Sequence, residues 1–138
     1  RREKDVLKRI FEILEALLDY LRGRTEFEFR HHQATATISQ SVGLVDKAKG
    51  RRAELVSIEA LFSSAPTTSE NFTLTLNSHL GSLHNVVLFS NNPSSPAATS
   101  IINFWEVPYP LEIGDDLTVA YANTDTRTVG FRVVCRVR

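Results

Sequence analysis

The sequence predicts a mainly β protein, an antiparallel β-sandwich that is jelly-roll-like with about eight strands and carries one N-terminal amphipathic α-helix. Three observations predict it. Leucines recur every seven residues through the first segment; from Thr25 onward apolar and polar residues alternate instead; and the alternating runs are separated by Gly, Pro, Asn, Asp and Ser clusters with no helical pattern between them. With 138 residues, 42% hydrophobic and 23% charged, the chain reads as one soluble domain with its own core plus an appendage. The reading divides it into an amphipathic assembly helix (1–23), a strand followed by a polar arm or loop (24–52), and the sandwich core (53–138).

The helix is expected from Glu3 to Arg22. Leu7, Leu14 and Leu21 fall on one seam position, and Ile10 and Leu17 fall on the other. Val6, Ile13 and Tyr20 flank that seam on one side, Phe11 and Leu18 on the other, so the apolar face is wider than a two-stranded coiled coil uses. Gly23 stands where a helix ends. Lys8, Arg9, Glu12, Glu15 and Asp19 mix both signs of charge on the remaining face, unlike the Lys-rich face of a membrane-surface helix, so no membrane partner is expected. A helix of this length is marginal alone. Leu7, Ile10, Phe11, Leu14, Leu17, Leu18 and Leu21 are therefore read as an assembly interface, with homo-oligomerisation as the expected result and packing on the chain's own sandwich as the competing one.

In Thr25 to Arg30, Phe27 and Phe29 alternate with Glu26, Glu28 and Arg30 as in a strand. Gln33 to Val42 is polar and β-branched, a second short candidate, and the segment from Gln33 to Arg52 is expected to become ordered along a neighbour. From Ala53, Val56, Ile58, Ala60 and Phe62 alternate with Ser57, Glu59 and Leu61; Phe72, Leu74 and Leu76 do the same with Thr73, Thr75 and Asn77. Further runs lie at His84 to Ser90, Ser100 to Val107, Leu117 to Ala122 and Thr128 to Val137. The breaks are turn material, among them Asn91 to Pro96, Pro108 to Pro110 and Gly114 to Asp116. On the last strand Phe131, Val133, Cys135 and Val137 are expected inward.

Net charge is zero, but residues 1–52 carry 12 Lys and Arg against 8 acids, and residues 53–138 carry 4 against 8. Lys47, Lys49, Arg51 and Arg52 form a basic cluster without interleaved aromatics, a candidate contact for an acidic protein and not for nucleic acid. The lone Cys135 excludes an internal disulfide framework and reads as core. His31, His32, His79 and His84 have no metal-ligand spacing, and no metal or cofactor is expected. Asp115 and Asp116 fit a strand-entry turn better than paired catalytic acids. Phosphate loops, nucleophile elbows and dinucleotide fingerprints are absent, so the expectation is a non-enzyme. No signal-peptide pattern is visible, and the chain opens on Arg1 without an initiator methionine, which reads as a processed or trimmed terminus. The alternative function is lectin-like carbohydrate binding, with Trp105, Tyr109 and Tyr121 as stacking faces.

The runs Phe72-Thr-Leu-Thr-Leu-Asn, His84-Asn-Val-Val-Leu-Phe-Ser, Pro110-Leu-Glu-Ile-Gly-Asp-Asp-Leu-Thr-Val-Ala-Tyr-Ala-Asn and the closing Arg127-Thr-Val-Gly-Phe-Arg-Val-Val resemble the small β-sandwich virion proteins of tailed bacteriophages. The similarity covers residues 53–138 and is to decoration, neck and fibre-base components. Its Leu-x-Ile-Gly-Asp-Asp-Leu-Thr-Val turn is also similar to one in trimeric jelly rolls of the tumour-necrosis-factor and complement type. The resemblance implies a symmetric assembly on a virus particle formed in the host cytoplasm, other virion proteins as partners, the N-terminal segment as tether, and no catalytic residues. The helix departs from the pattern.

Overall fold

A computed structural model describes residues 2–21, 26–43 and 53–137. The helix α1 spans Arg2–Leu21, within one residue of expectation at each end. Glu3 and Asp5 sit in its first turn, where they complement the positive end of the helix dipole. Eight strands follow: β1 (Glu26–Ala34), β2 (Ile38–Ser41), β3 (Ala53–Phe62), β4 (Phe72–Asn77), β5 (Val86–Asn91), β6 (Ser100–Leu111), β7 (Asp116–Tyr121) and β8 (Val129–Val137).

They form two four-stranded sheets, ordered β1-β8-β3-β6 and β2-β7-β4-β5, with every neighbouring pair antiparallel. Strands pair first with last: β1 with β8, β2 with β7, β3 with β6 and β4 with β5. The chain is thus one long ribbon, doubled back at the β4–β5 connection and rolled so that successive pairs fall alternately in the two sheets. That order is the eight-stranded jelly roll.

Alternation places one side of each strand between the sheets. Leu55, Ile58, Phe72, Leu74, Leu117, Val119 and Val133 are fully buried, and Phe131, Val133, Cys135 and Val137 point inward as expected. Edge-to-face rings tie the sheets, Phe62 to Tyr121 at 5.5 Å and Phe72 to Phe131 at 6.2 Å between centroids, while within one sheet Phe72 lies tilted against Tyr121 at 6.0 Å.

Three local expectations are corrected, and the facing of β1 is settled. The polar arm is, as far as Gly43, part of the sandwich: β2 pairs with β7, Ile38 and Val42 are buried, and the Val42 amide donates to the Leu117 carbonyl at 2.8 Å. In β3 a bulge between Leu55 and Ser57 shifts the register, so Leu55 and not Val56 joins Ile58 in the core. The break at Pro108 to Pro110 is not a break, because β6 is an edge strand whose missing amides can face away from β3. On β1, where alternation alone left the facing open, the aromatic side is outward: Phe29 is opposite Val134, while Arg30 and His32 lie on the inward side opposite Val133 and Phe131. Charged inward positions blunt an edge strand. Arg30 donates from Nε to the Gly43 carbonyl at 3.1 Å, bridging from β1 to the chain beyond β2.

At one end of the roll Asp125 fastens the β3–β4 connection to the β7–β8 turn. Its carboxylate accepts the Thr67 and Thr68 amides at 2.8 Å each and the Thr68 hydroxyl at 2.7 Å. The Thr68 hydrogen bonds, backbone first, hold its pKa down from 3.8 to about 2. A folded-state pKa below the unfolded one stabilises the fold in full above 3.8, and the contribution disappears as pH falls toward about 2. Asp125→Asn is therefore expected to lower the thermal midpoint at pH 7, with the gap to the parent narrowing in scans taken through that acid window. A constant gap would place the effect elsewhere.

Candidate assembly surface

The apolar stripe of α1 is the largest feature the sandwich leaves unsatisfied. Leu7, Ile10, Leu14 and Leu17 form one edge of a helix about 30 Å long, with Phe11 and Leu18 on one flank and Val6 and Ile13 on the other. Their exposures run from 45% at Leu18 to 67% at Ile13, and no residue from Arg2 to Leu18 is buried. The chain's own sandwich does not cover the stripe. Leu21 closes the helix, but its side chain lies outside the described residues, as do Lys47, Lys49, Arg51 and Arg52 entirely.

The two outer faces of the sandwich differ sharply in chemistry. On the β2-β7-β4-β5 sheet the outward register positions are mostly polar, Ser39, Ser41, Thr73, Thr75, Asn77 and Thr118, with Ala120 and the exposed Val87 as the apolar members. On the β1-β8-β3-β6 sheet they include Phe27 and Phe29 on β1, Leu61 on β3, and Ile102 and Phe104 on β6, exposed between 48% and 66%. Val134 lies at the centre of that face, in the row Phe29, Val134, Ser57, Phe104, buried by its outer-face neighbours and not by the core. The charges on the face are paired across strands: Arg132 with Glu59 at 2.8 Å, and Arg136 with Glu54. The Arg132 guanidinium also sits 5.6 Å from the Phe29 ring centroid.

A polar cluster that linear spacing hid joins the β4–β5 and β6–β7 connections. His79 and Asp115 are far apart in sequence, but β4 and β7 are neighbours and bring them together. Asp115 accepts the backbone amides of His79 and Glu112 at 3.0 Å each and His79 Nδ1 at 2.8 Å; His79 Nε2 lies 3.7 Å from a Glu112 carboxylate oxygen. The histidine spacing that suggested no ligand set thus misses a place where two carboxylates gather at His79. Beside them an open cleft of about 500 Å³ is lined by Ala53, Glu54, His79, Pro110, Leu111, Glu112 and Ile113. Asp115 is buried and directs its oxygens at loop amides, so the cluster's evident work is to clasp the strand-entry turn expected there. Asp116 serves a second turn, accepting the Ser41 hydroxyl and the Gly43 amide.

Of the three rings considered for carbohydrate stacking, Tyr121 is withdrawn: it is buried between Phe62 and Phe72, and that burial, followed by the Glu70 and Asp125 charges, pushes its phenol pKa up. Trp105 and Tyr109 are half-buried against the core cluster.

No family model matches the chain, and no curated protein is similar enough to it to count as a match.

Proposed function

We propose that this chain is a non-enzymatic structural component of a bacteriophage particle, a decoration, neck or fibre-anchor protein whose jelly roll is the rigid body and whose N-terminal helix joins copies together. The observation that carries the reading is the exposed, heptad-spaced stripe on α1 beside a sandwich that is already packed. Such a stripe on a terminal helix has most to gain from burial against other helices, and its apolar flanks favour more than one neighbour per copy. The virion placement draws on the residue resemblance over 53–138 together with the jelly-roll order, an architecture that capsid proteins use repeatedly.

Light scattering on the full chain over a concentration series tests the assembly. A defined oligomer is expected, and a monomer at every concentration overturns the reading. The virion placement has its own test: antibodies to the chain are expected to label purified particles of the phage that encodes it, and unlabelled particles would remove that part of the proposal.

A further inference from the structure

We infer that the outer face of the β1-β8-β3-β6 sheet is a second self-association surface, covered by the adjoining sandwich of another copy in the oligomer that α1 nucleates. The inference rests on the self-assembly reading above, and adds a surface to it.

The first argument is internal to the molecule. Both sheets are built by the same alternation, yet one outer face is mostly Ser and Thr, with Ala120 and Val87 among them and no aromatic ring at its paired positions, while the other carries Phe27, Phe29, Leu61, Ile102 and Phe104. A face selected only for water has no use for three exposed phenylalanines. The second is charge. Arg132 and Arg136 meet Glu59 and Glu54 within the face, so another copy settling on its centre meets those four charges already paired, and the exposed Glu106 lies further along the β6 edge.

The third is area. Phenylalanines of about 150–250 Å² each, roughly half exposed, leave about 300 Å² of ring in water, and Leu61 and Ile102 bring the face to about 500 Å². That equals the largest patch of an ordinary monomer and falls short of the roughly 800 Å² per partner of a stable interface. Added to the helix stripe it reaches that size, which makes it a companion contact and not an independent one.

The fourth is the tether, and it decides the occupant. Only the short stretch from Leu21 to Glu26 separates the stripe from β1, a span of at most about 18 Å. Helices bundled together therefore hold the Phe27 and Phe29 side of neighbouring sandwiches close to the bundle. Sandwiches so confined meet at high effective concentration, where a modest face is sufficient.

The test uses the full chain with two kinds of variant. In Ile102→Cys, the introduced thiol is the accessible one because Cys135 is fully buried, and its alkylation by iodoacetamide is expected to be at least about tenfold slower in the oligomer than in the same chain carrying Leu14→Asp and Leu17→Asp. In Phe29→Glu with Phe104→Glu, the oligomer is expected to dissociate at concentrations at least about tenfold higher than the parent does, with the sandwich still folded by near-ultraviolet circular dichroism. If the double variant fails to fold, the alkylation rates alone decide. An oligomer that alkylates at the monomer rate and tolerates both glutamates overturns this inference and leaves the helix reading intact. A parent chain that is monomeric throughout overturns both.

Discussion

Replacing Leu14 and Leu17 together by Asp is expected to leave the chain monomeric with its sandwich intact. The two side chains are three residues apart, on the same edge of α1, at the middle of the stripe. Burial of a large apolar side chain contributes about 1.5–3 kcal/mol, so the pair accounts for about 3–6 kcal/mol per copy before the cost of desolvating two carboxylates. That loss weakens association by roughly a hundredfold or more. The sandwich is spared because α1 from Arg2 to Leu18 contributes no buried residue to it. Light scattering reads the assembly and near-ultraviolet circular dichroism the core; a variant that keeps the parent's mass would remove the helix from the assembly mechanism.

Phe72→Ala is expected to cost the sandwich about 3–5 kcal/mol, the range for deleting a buried aromatic ring from a packed core. Phe72 is fully buried where the two sheets meet, with Phe62, Tyr121 and Phe131 all within 6.3 Å between ring centroids. Three rings lose an edge-to-face or tilted partner at once, and the strands on either side are too constrained by their registers to close the space. For a domain whose total stability is about 5–15 kcal/mol, that is about a fifth or more of what holds it. Urea unfolding is best compared in the Leu14→Asp, Leu17→Asp background, where association does not add to the apparent stability. A loss below about 1 kcal/mol would mean that the core relaxes around the missing ring.

The elements were legible in the sequence wherever one periodicity held without interruption. Heptad leucines located α1 to within a residue at either end, and strict alternation located β4, β7 and β8. What defeated sequence reading were properties of pairing. The β3 bulge changes which of Leu55 and Val56 faces in, and that depends on β6 and β8 alongside. Pro108 and Pro110 were compatible with β6 only because it lies at an edge, a fact of sheet order. Phe27 and Phe29 alternate with charge as core residues do, yet β1 is an edge strand and presents them outward. The same limit applied to the functional surface. The stripe is local and visible, whereas the apolar sheet face assembles β1, β3, β6 and β8 and exists only once they are in register. His79 and Asp115 met for the same reason.

The nested pairing also dictates the order in which the molecule can be made. Only the β4–β5 hairpin joins close neighbours in sequence; every other first-with-last pair spans a longer loop, and β8 must slot between β1 and β3. During synthesis, β1 and β3 therefore wait with open edges until the last strand of the sandwich has left the ribosome, at roughly 5–20 residues per second. Phe27 and Phe29 wait with them, on a strand that has no hydrogen-bonded neighbour until then. A jelly roll of this order is exposed to premature contact between nascent chains for most of its translation, and α1, leaving the ribosome ahead of the sandwich and with its apolar stripe uncovered, would draw those chains together before any of them is closed.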